Sequence, residues 1–301
     1  MAIAVFDIGG TFVKYAYFED GELFFLGQFL TRAHEGGRRV LERVADCVEQ
    51  TIRPKVRHLD AVSISSSGQI NSQSGEVIYS NGNSKHYAGL NVVQILQKRL
   101  QLPVCVENDV NAAAYGELKR GAGRKIKDQS FICLTIGTGV GGAIINQGRI
   151  YHGNNYAAGE FGGIITHIEA RRPGQNLSGC LERYASTKAL VRLCRDVDPA
   201  IRNARQVFSN SNRPEIRACI QEWAFELALG LSVIAQIFNP RQIIIGGGIM
   251  HQRQLFPMIA KQLNKLIYPS LKPIKLLQAE LLNQAGLMGA AYLAKEKFSL
   301  E

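Results

Sequence analysis

The chain has 301 residues, 46% hydrophobic and 20% charged, with a formal net charge of +10. A chain of this length buries roughly three quarters of its unfolded surface without needing disulfides, and this composition excludes a mostly disordered protein. No run reaches the ~18 uninterrupted apolar residues of a membrane span, and the N-terminal stretch meets Asp7 too early for a signal peptide. A cytoplasmic protein of two domains, or one large one, is expected.

The apolar run Ile3–Phe6 predicts a buried strand. A Gly9-Gly10-Thr11 turn follows, then a strand over Phe12–Phe18 and a hairpin turn at Asp20-Gly21. Residues 37–53 carry Val40, Leu41, Val44, Cys47 and Val48 at helical spacing. Ala61–Ile64 reads as a strand that runs into Ser65-Ser66-Ser67-Gly68. A helix over 91–101, a short strand over Pro103–Val106 and a helix over Asp109–Arg120 complete the first half.

Residues 131–136 begin a second unit that repeats the first. FDIGGTFVKYAYFEDGEL (6–23) and LTIGTGVGGAIINQGRI (134–150) both read as strand, glycine turn, strand, X-Gly turn. Helices over 183–196 and 216–238 follow. A buried strand, Gln242–Ile245, is stopped by Gly246-Gly247-Gly248, and a helix over Ala285–Lys297 ends the chain. Strands alternating with helices define an α/β architecture.

The 30 glycines cluster at 9–10, 137–142, 159–163 and 246–248. Such clusters serve tight turns, or a backbone that must approach a ligand closely. Gly9-Gly10-Thr11 and Gly137-Thr138-Gly139 each offer converging N–H groups and a hydroxyl, the donors a phosphate wants. There is no G-x-x-x-x-G-K-S/T, and no G-x-G-x-x-G between a strand and a helix, so neither a P-loop nor a Rossmann site is expected. Asp7, at the end of an apolar strand, either caps the turn or meets the Mg²⁺ carried by a nucleotide. Lys14 is close enough in sequence to balance its charge or to face outward.

Glu107-Asn108-Asp109-Val110-Asn111 joins a strand to a helix, a place where α/β proteins keep ligands. A carboxylate at position 109 suits the start of a helix, either as a cap or as the base that takes a proton from an attacking hydroxyl. Asn83, Asn108, Glu160 and Glu182 are the residue types that grip sugar hydroxyls. The six cysteines form no C-x-x-C pair; Cys105 and Cys133 sit in apolar runs as core thiols. Basic residues are densest at Lys119–Lys127 and at Arg171–Arg172, without interleaved aromatics or a recognition helix, so nucleic acid is not an expected partner.

The ordered set D-I-G-G-T, E-N-D-x-N, I-G-T-G-x-G-G-x-I, A-G-E-x-G, G-C-L-E and I-I-G-G-G-I resembles the ROK family of sugar kinases, in the hexokinase/actin-like ATPase superfamily, over nearly the whole chain. The resemblance implies two ribonuclease-H-like domains flanking a cleft. The smaller would hold residues 1–115 plus about 286–301, and the larger residues 116–285. It implies ATP and Mg²⁺ as cofactors, a small-molecule sugar as substrate and a homodimer as the assembly. Asp7, Gly9, Gly10 and Thr11 match the first phosphate element, and Gly137, Thr138 and Gly139 the second. Gly246, Gly247 and Gly248 match positions near the adenosine. Asp109 matches the catalytic base. Asn108, Glu160 and Glu182 match sugar-binding positions, with Gly68 and Asn83 near the sugar. The activity implied is phosphorylation of a hexose or N-acetylhexosamine, at the 6-hydroxyl.

The departures concern zinc and specificity. Many members place a His after A-G-E-x-G and three cysteines in C-x-C-G-x-x-G-C; here those positions hold Gly163, Pro173, Gln175 and the single Cys180. One thiolate, even with His167 nearby, is too few for a tetrahedral zinc, so none is expected. Gly163 leaves room for a substituent at the C1 or C2 side of the sugar, and Ser67 replaces the usual proline before Gly68. Zinc-less relatives include kinases resembling β-glucoside kinase, N-acetylmannosamine kinase and glucokinase. One rival reading is a non-catalytic sugar sensor of the same family, whose DNA-binding helices would precede the first strand. The other is an actin-like or chaperone-type ATPase, which has no use for Asn108, Glu160 and Glu182.

Overall fold

A computed structural model describes residues 1–80 and 86–300. The chain forms two α/β units: residues 1–129, 148–158 and 283–301, and residues 130–147 and 159–282.

In the first unit β1 (Ala2–Ile8), β2 (Phe12–Glu19) and β3 (Glu22–Leu30) form an antiparallel meander. β4 (Ala61–Ser66) joins β1 in parallel and runs into a small hairpin, β5 (Gln69–Asn71) and β6 (Glu76–Tyr79). β7 (Val104–Asn108) closes the sheet, whose order is β3-β2-β1-β4-β7. β1 and β4 are central. Ala2 through Phe6 and all of β4 are buried, which is why both read as unbroken apolar or small-residue runs.

One face of this sheet is covered by α1 (Gly37–Cys47) and α2 (Val92–Leu100), which pack Val40, Leu41, Val44 and Leu96 into a core with Phe6, Val13 and Ile64. The expected helix over 37–53 is α-helical only to Cys47. It widens to a π-turn over Val48–Ile52 and tightens to a 3-10 turn at Arg53–Lys55, where Pro54 offers no N–H to continue the ladder. α3 (Asp109–Arg120) follows β7 directly.

In the second unit β8 (Phe131–Ile136) and β9 (Val140–Asn146) make an antiparallel hairpin, and the turn at Gln147-Gly148 leads out to the two-residue strand β10 (Arg149–Ile150). The expected helix over 183–196 is two helices, α4 (Glu182–Ala185) and α5 (Thr187–Val197). Ser186 separates them: its backbone is extended and its hydroxyl accepts from the Ala189 N–H at 3.3 Å, so it ends one helix and caps the next. α6 (Ala204–Ser209) is a short helix that the apolar spacing did not announce. α7 (Pro214–Phe238) starts on a proline, which has no N–H to leave unpaired. It is the one helix among the described residues long and apolar enough to cross a membrane, but 61% of that apolar window is buried inside the protein. Trp223, Leu227 and Leu231 are fully buried, so α7 is a core helix.

β11 (Gln242–Gly246) pairs in parallel with β8. α8 (Leu255–Leu266), with Leu255, Ile259 and Leu263 buried at four-residue spacing, leads to β12 (Lys275–Gln278), which pairs in parallel with β11. The order β9-β8-β11-β12 reproduces β2-β1-β4-β7 of the first unit, including the one antiparallel and two parallel pairings. The repeat read in the sequence is therefore a repeat of fold.

α9 (Ala285–Lys297) returns to the first unit and packs against α3, β1 and β4. The two helices approach through glycines. A methyl on Gly289 would run into the Ala112 carbonyl, and one on Gly116 into the Ala285 carbonyl. Backbone lies on both sides and cannot yield. We predict that Gly289→Ala, although alanine favours helix, lowers stability by about 2 kcal/mol in chemical denaturation, because overpacking outweighs propensity.

Candidate active site

The junction between β7 and α3 is a hydrogen-bonded unit. Asn108 is the N-cap of α3: its Oδ1 accepts from the Val110 and Asn111 N–H groups at 2.9 and 3.0 Å. Its Nδ2 donates to the Gly68 carbonyl at 2.9 Å and to Asp109 Oδ1 at 3.1 Å. Asp109 Oδ1 also accepts from the Val110 N–H at 2.9 Å. The carboxyl of Asp109, in the first turn of α3, is thus fixed in orientation by two donors. Gly68 must be glycine: its φ is +109° and a Cβ would lie 2.7 Å from the Tyr79 carbonyl oxygen.

Behind this junction lies a group that the sequence reading passed over. Glu107 is 5% exposed. Its Oε1 accepts from the Asn108 N–H at 2.8 Å and from Asn111 Nδ2 at 3.1 Å, and its Oε2 lies 2.8 Å from His152 Nε2. His152 also reaches Ser72 Oγ at 3.3 Å and packs on the Tyr156 ring. A buried carboxylate is costly unless bonded, and these contacts bond it. It holds the backbone on which Asn108 and Asp109 sit. His152 is 45 positions away in sequence, so no local pattern connects the two.

Asp7 is held across the sheet. Its register neighbours are Lys14 on β2 and Ser65 on β4. Ser65 Oγ donates to Asp7 Oδ1 at 2.9 Å, and Lys14 Nζ lies 3.3 Å from Oδ2. Of the two readings open for Lys14, charge balance is the one observed. The Gly9-Gly10-Thr11 turn is closed by the Gly9 N–H donating to the Phe12 carbonyl at 3.0 Å. Thr31 Oγ1, donating to the Gly9 carbonyl at 2.7 Å, ties it down. Gly10 and Thr11 are exposed.

The second unit builds its own turn. The Gly137 N–H donates to the Gly139 carbonyl at 2.9 Å, and the Gly137 carbonyl accepts from the Thr187 N–H at the start of α5. Gly247, at φ +104°, sits so close to Ile136 that any side chain would strike its carbonyl. Gly246 pairs in register with Thr135. The two glycine runs, 137–139 and 246–248, are therefore neighbours, and Gly137, Thr138 and Gly248 line one cavity of about 1060 Å³ with α5 and α6.

Glu182, offered as a sugar ligand, also supports this turn: its Oε2 accepts from the Val140 N–H at 3.0 Å, and any side chain at residue 139 would collide with it. Glu160 lies near it. Burial, and then the charge of Glu182, hold the Glu160 carboxyl above the usual carboxylate range. Gly142 and Gly159 let the Glu160 segment pack on β9, since a methyl on Gly142 would strike Phe161 and the Gly159 carbonyl. Gly163 is exposed, with nothing within 4 Å of where a Cβ would stand.

The loop leading to Glu182 is organised by Arg171. Its Nη1 donates to the carbonyls of Asn176 at 2.8 Å, Ser178 at 3.1 Å and Gln175 at 3.4 Å, and lies 3.6 Å from Cys180 Sγ. His167 is engaged elsewhere, stacked on Tyr184 at 3.8 Å and 3.4 Å from Glu226. Among the described residues no three His, Cys, Asp or Glu side chains are grouped to hold a metal. A guanidinium here gathers loop carbonyls, a task its fixed fork of donors suits.

In the first unit the structure brings together Gly68, Asn108 and Asp109, and separately Asp7 with the 9–11 turn. In the second it brings together 137–139, 246–248, Glu160 and Glu182. Asn83 lies outside the described residues. Glu107, His152, Ser65 and Arg171 are the additions, all by long-range or loop contacts.

The profile of the ROK family matches residues 3–297. The chain belongs to the ROK family, and its two units have the ribonuclease-H-like fold of actin-like ATPases. It is 35% identical to an uncharacterized protein of Clostridium perfringens, covering 98% of each chain. It is 29% identical to a β-glucoside kinase of Listeria innocua, covering 97% of each. Among solved structures it superposes on a ROK family glucokinase from Streptomyces griseus, determined with glucose and AMPPNP, with a TM-score of 0.83 and 26% identity. That match covers 98% of this chain and all of the other.

Two outcomes follow from the second unit. A carboxyl whose ionisation is disfavoured by folding costs stability above its folded pKa and nothing once protonated in both states. Glu160→Gln should therefore raise Tm at neutral pH, with the gain disappearing as pH falls through the usual carboxylate range; a gain independent of pH contradicts this. Arg171→Ala should raise the sugar KM at least about tenfold, with Arg171→Lys restoring it only in part, because a point charge cannot bridge several carbonyls. Steady-state kinetics checks the pair.

Proposed function

We propose that the chain is an ATP-dependent sugar kinase that transfers the γ-phosphoryl group of ATP to a hexose or N-acetylhexosamine, at the 6-hydroxyl, with Asp109 as the base. The observation that carries this reading is the fixed carboxyl at the start of α3. Two donors orient Oδ1, from Asn108 Nδ2 and the Val110 N–H, and Glu107 and His152 brace the backbone beneath. A carboxylate placed this way accepts the proton of a sugar hydroxyl as its oxygen attacks phosphorus.

The rest of the assignment follows residue types and placement. Gly9, Gly10 and Thr11 present exposed or half-exposed backbone and a hydroxyl, and Gly137, Thr138 and Gly139 do the same in the second unit. Both turns suit phosphate oxygens, on which charge is spread in the transition state. Gly248 borders the cavity that would take the nucleoside, and Gly246 and Gly247 lead into it along the chain. Mg²⁺, carried in with the nucleotide, would supply neutralisation of phosphate charge, and Asp7 would hold it. Asp7 fits it, because a partly exposed carboxylate held by Ser65 and Lys14 is the single protein ligand such an ion commonly takes. Asn108, Glu160 and Glu182, with Gly68, are assigned to the sugar. The Glu160 and Glu182 carboxylates can accept hydrogen bonds from sugar hydroxyls.

Relatives include a β-glucoside kinase and a glucokinase. The open space at Gly163 supports a sugar carrying a substituent on its C1 or C2 side. Asp109→Asn should lower kcat by at least about 10³-fold while the sugar still protects the protein against heat. Retained turnover in a folded Asp109→Asn protein would remove Asp109 as the base, and a product phosphorylated elsewhere than O6 by NMR would correct the regiochemistry.

A further inference from the structure

His152 belongs to none of the residues assigned to ATP or to the sugar, yet the first unit ties it from two sides. On one side its Nε2 lies 2.8 Å from Glu107 Oε2 and 3.3 Å from Ser72 Oγ. A carboxylate only accepts, so against Glu107 this nitrogen carries the proton and donates it. Ser72 is fixed in turn: Lys297 Nζ, from the last turn of α9, donates to its carbonyl at 3.0 Å. From Glu107 the hydrogen bonds run on through the Asn108 N–H, and Asn108 Nδ2 donates to Asp109 Oδ1. Two bonded residues, Glu107 and Asn108, thus stand between the imidazole and the Asp109 carboxyl.

On the other side His152 opens a loop. The Ala158 N–H donates to the His152 carbonyl at 3.1 Å, so the ends of residues 152–158 meet, and the Tyr156 ring packs on the imidazole. Gly153 and Tyr156 hold the loop's shape with left-handed backbone, at φ +70° and +59°, and Gln69 Nε2 donates to the Asn155 carbonyl. A compact loop with joined ends and its own side-chain packing moves as one piece. The first unit ends with this loop, at Ala158, and Glu160 follows two residues later. One end of the imidazole's contacts therefore leads to the proposed base, and the other leads along the chain to a proposed sugar ligand.

We propose that His152 is a positioning residue that couples the sugar-binding segment to the base. Sugar held by Glu160 steadies the 152–158 loop, and His152 passes that restraint through Glu107 to Asp109. The proposal rests on the sugar-kinase reading above. His152 acts on no reacting atom; its effect is on geometry, where a misplacement of about 1 Å costs on the order of a hundredfold in rate.

The test is steady-state kinetics on the full-length protein with ATP and a panel of hexoses, N-acetylhexosamines and β-glucosides. His152→Ala, and His152→Asn, whose amide stops short of Glu107, should each lower kcat at least about tenfold and leave the sugar KM within about threefold. His152→Gln, whose Nε2 reaches as far as the imidazole nitrogen, should restore most of the loss. In the Asp109→Asn background His152→Asn should cost less than about twofold more, because no base is left to orient. Glu160→Gln should lower kcat at least about threefold besides raising KM, and should raise KM alone when combined with His152→Asn. A raised sugar KM with kcat intact in the His152 variants overturns the proposal and leaves the sugar-kinase reading standing, and so does an undiminished loss in the Asp109→Asn background. An equal kcat loss from Glu160→Gln with and without His152→Asn overturns the coupling. No sugar phosphate from any sugar of the panel overturns both readings.

Discussion

A carboxylate that must act on a ligand has to be held without being neutralised. The start of α3 meets that constraint by dividing the work among neighbours. Asn108, not Asp109, caps the helix, and its amide nitrogen steadies Asp109 Oδ1. Glu107 turns inward and is satisfied by the Asn108 N–H, Asn111 and His152. Three consecutive polar residues thus take three separate tasks: brace, cap and carboxyl.

Glycine takes the corresponding part in both turns, 9–11 and 137–139. At Gly247 and Gly139 the reason is crowding, by the Ile136 carbonyl and by Glu182. At Gly137 and Gly248 nothing stands within 4 Å, so packing does not call for glycine there. Open glycines beside crowded ones mark a backbone left bare for a ligand. The two units reach this through the same strand order, with a hairpin at the head of each sheet.

The α/β class, the repeat and most long elements were legible because their signals are local. Ile3–Phe6 and Ile243–Ile245 are unbroken apolar runs, the second stopped by Gly246, as central parallel strands require. The break at Ser186 was not legible from apolar spacing, because Ala185 and Ala189 continue the buried face across it. α6 is too short to establish a period. At the site, the D-I-G-G-T and E-N-D-x-N runs pointed to Asp7 and to the Asn108–Asp109 junction, whose hydrogen bonds the structure shows. The brace of Glu107 by His152, the hold of Ser65 on Asp7 and the gathering of loop carbonyls by Arg171 were invisible. Each depends on where the chain returns in space. Arg171 looked like half of a basic pair, yet its guanidinium is turned toward its own loop.

The account turns on a phosphoryl group passing to a sugar and not to water. The direct measurement is stoichiometry: ADP and sugar phosphate followed together by ³¹P NMR, with ATP and Mg²⁺, in the presence and absence of sugar. The account predicts that ADP appears only when an accepted sugar is present, one mole for each mole of sugar phosphate. ADP and free phosphate released at the same rate with or without sugar would contradict it.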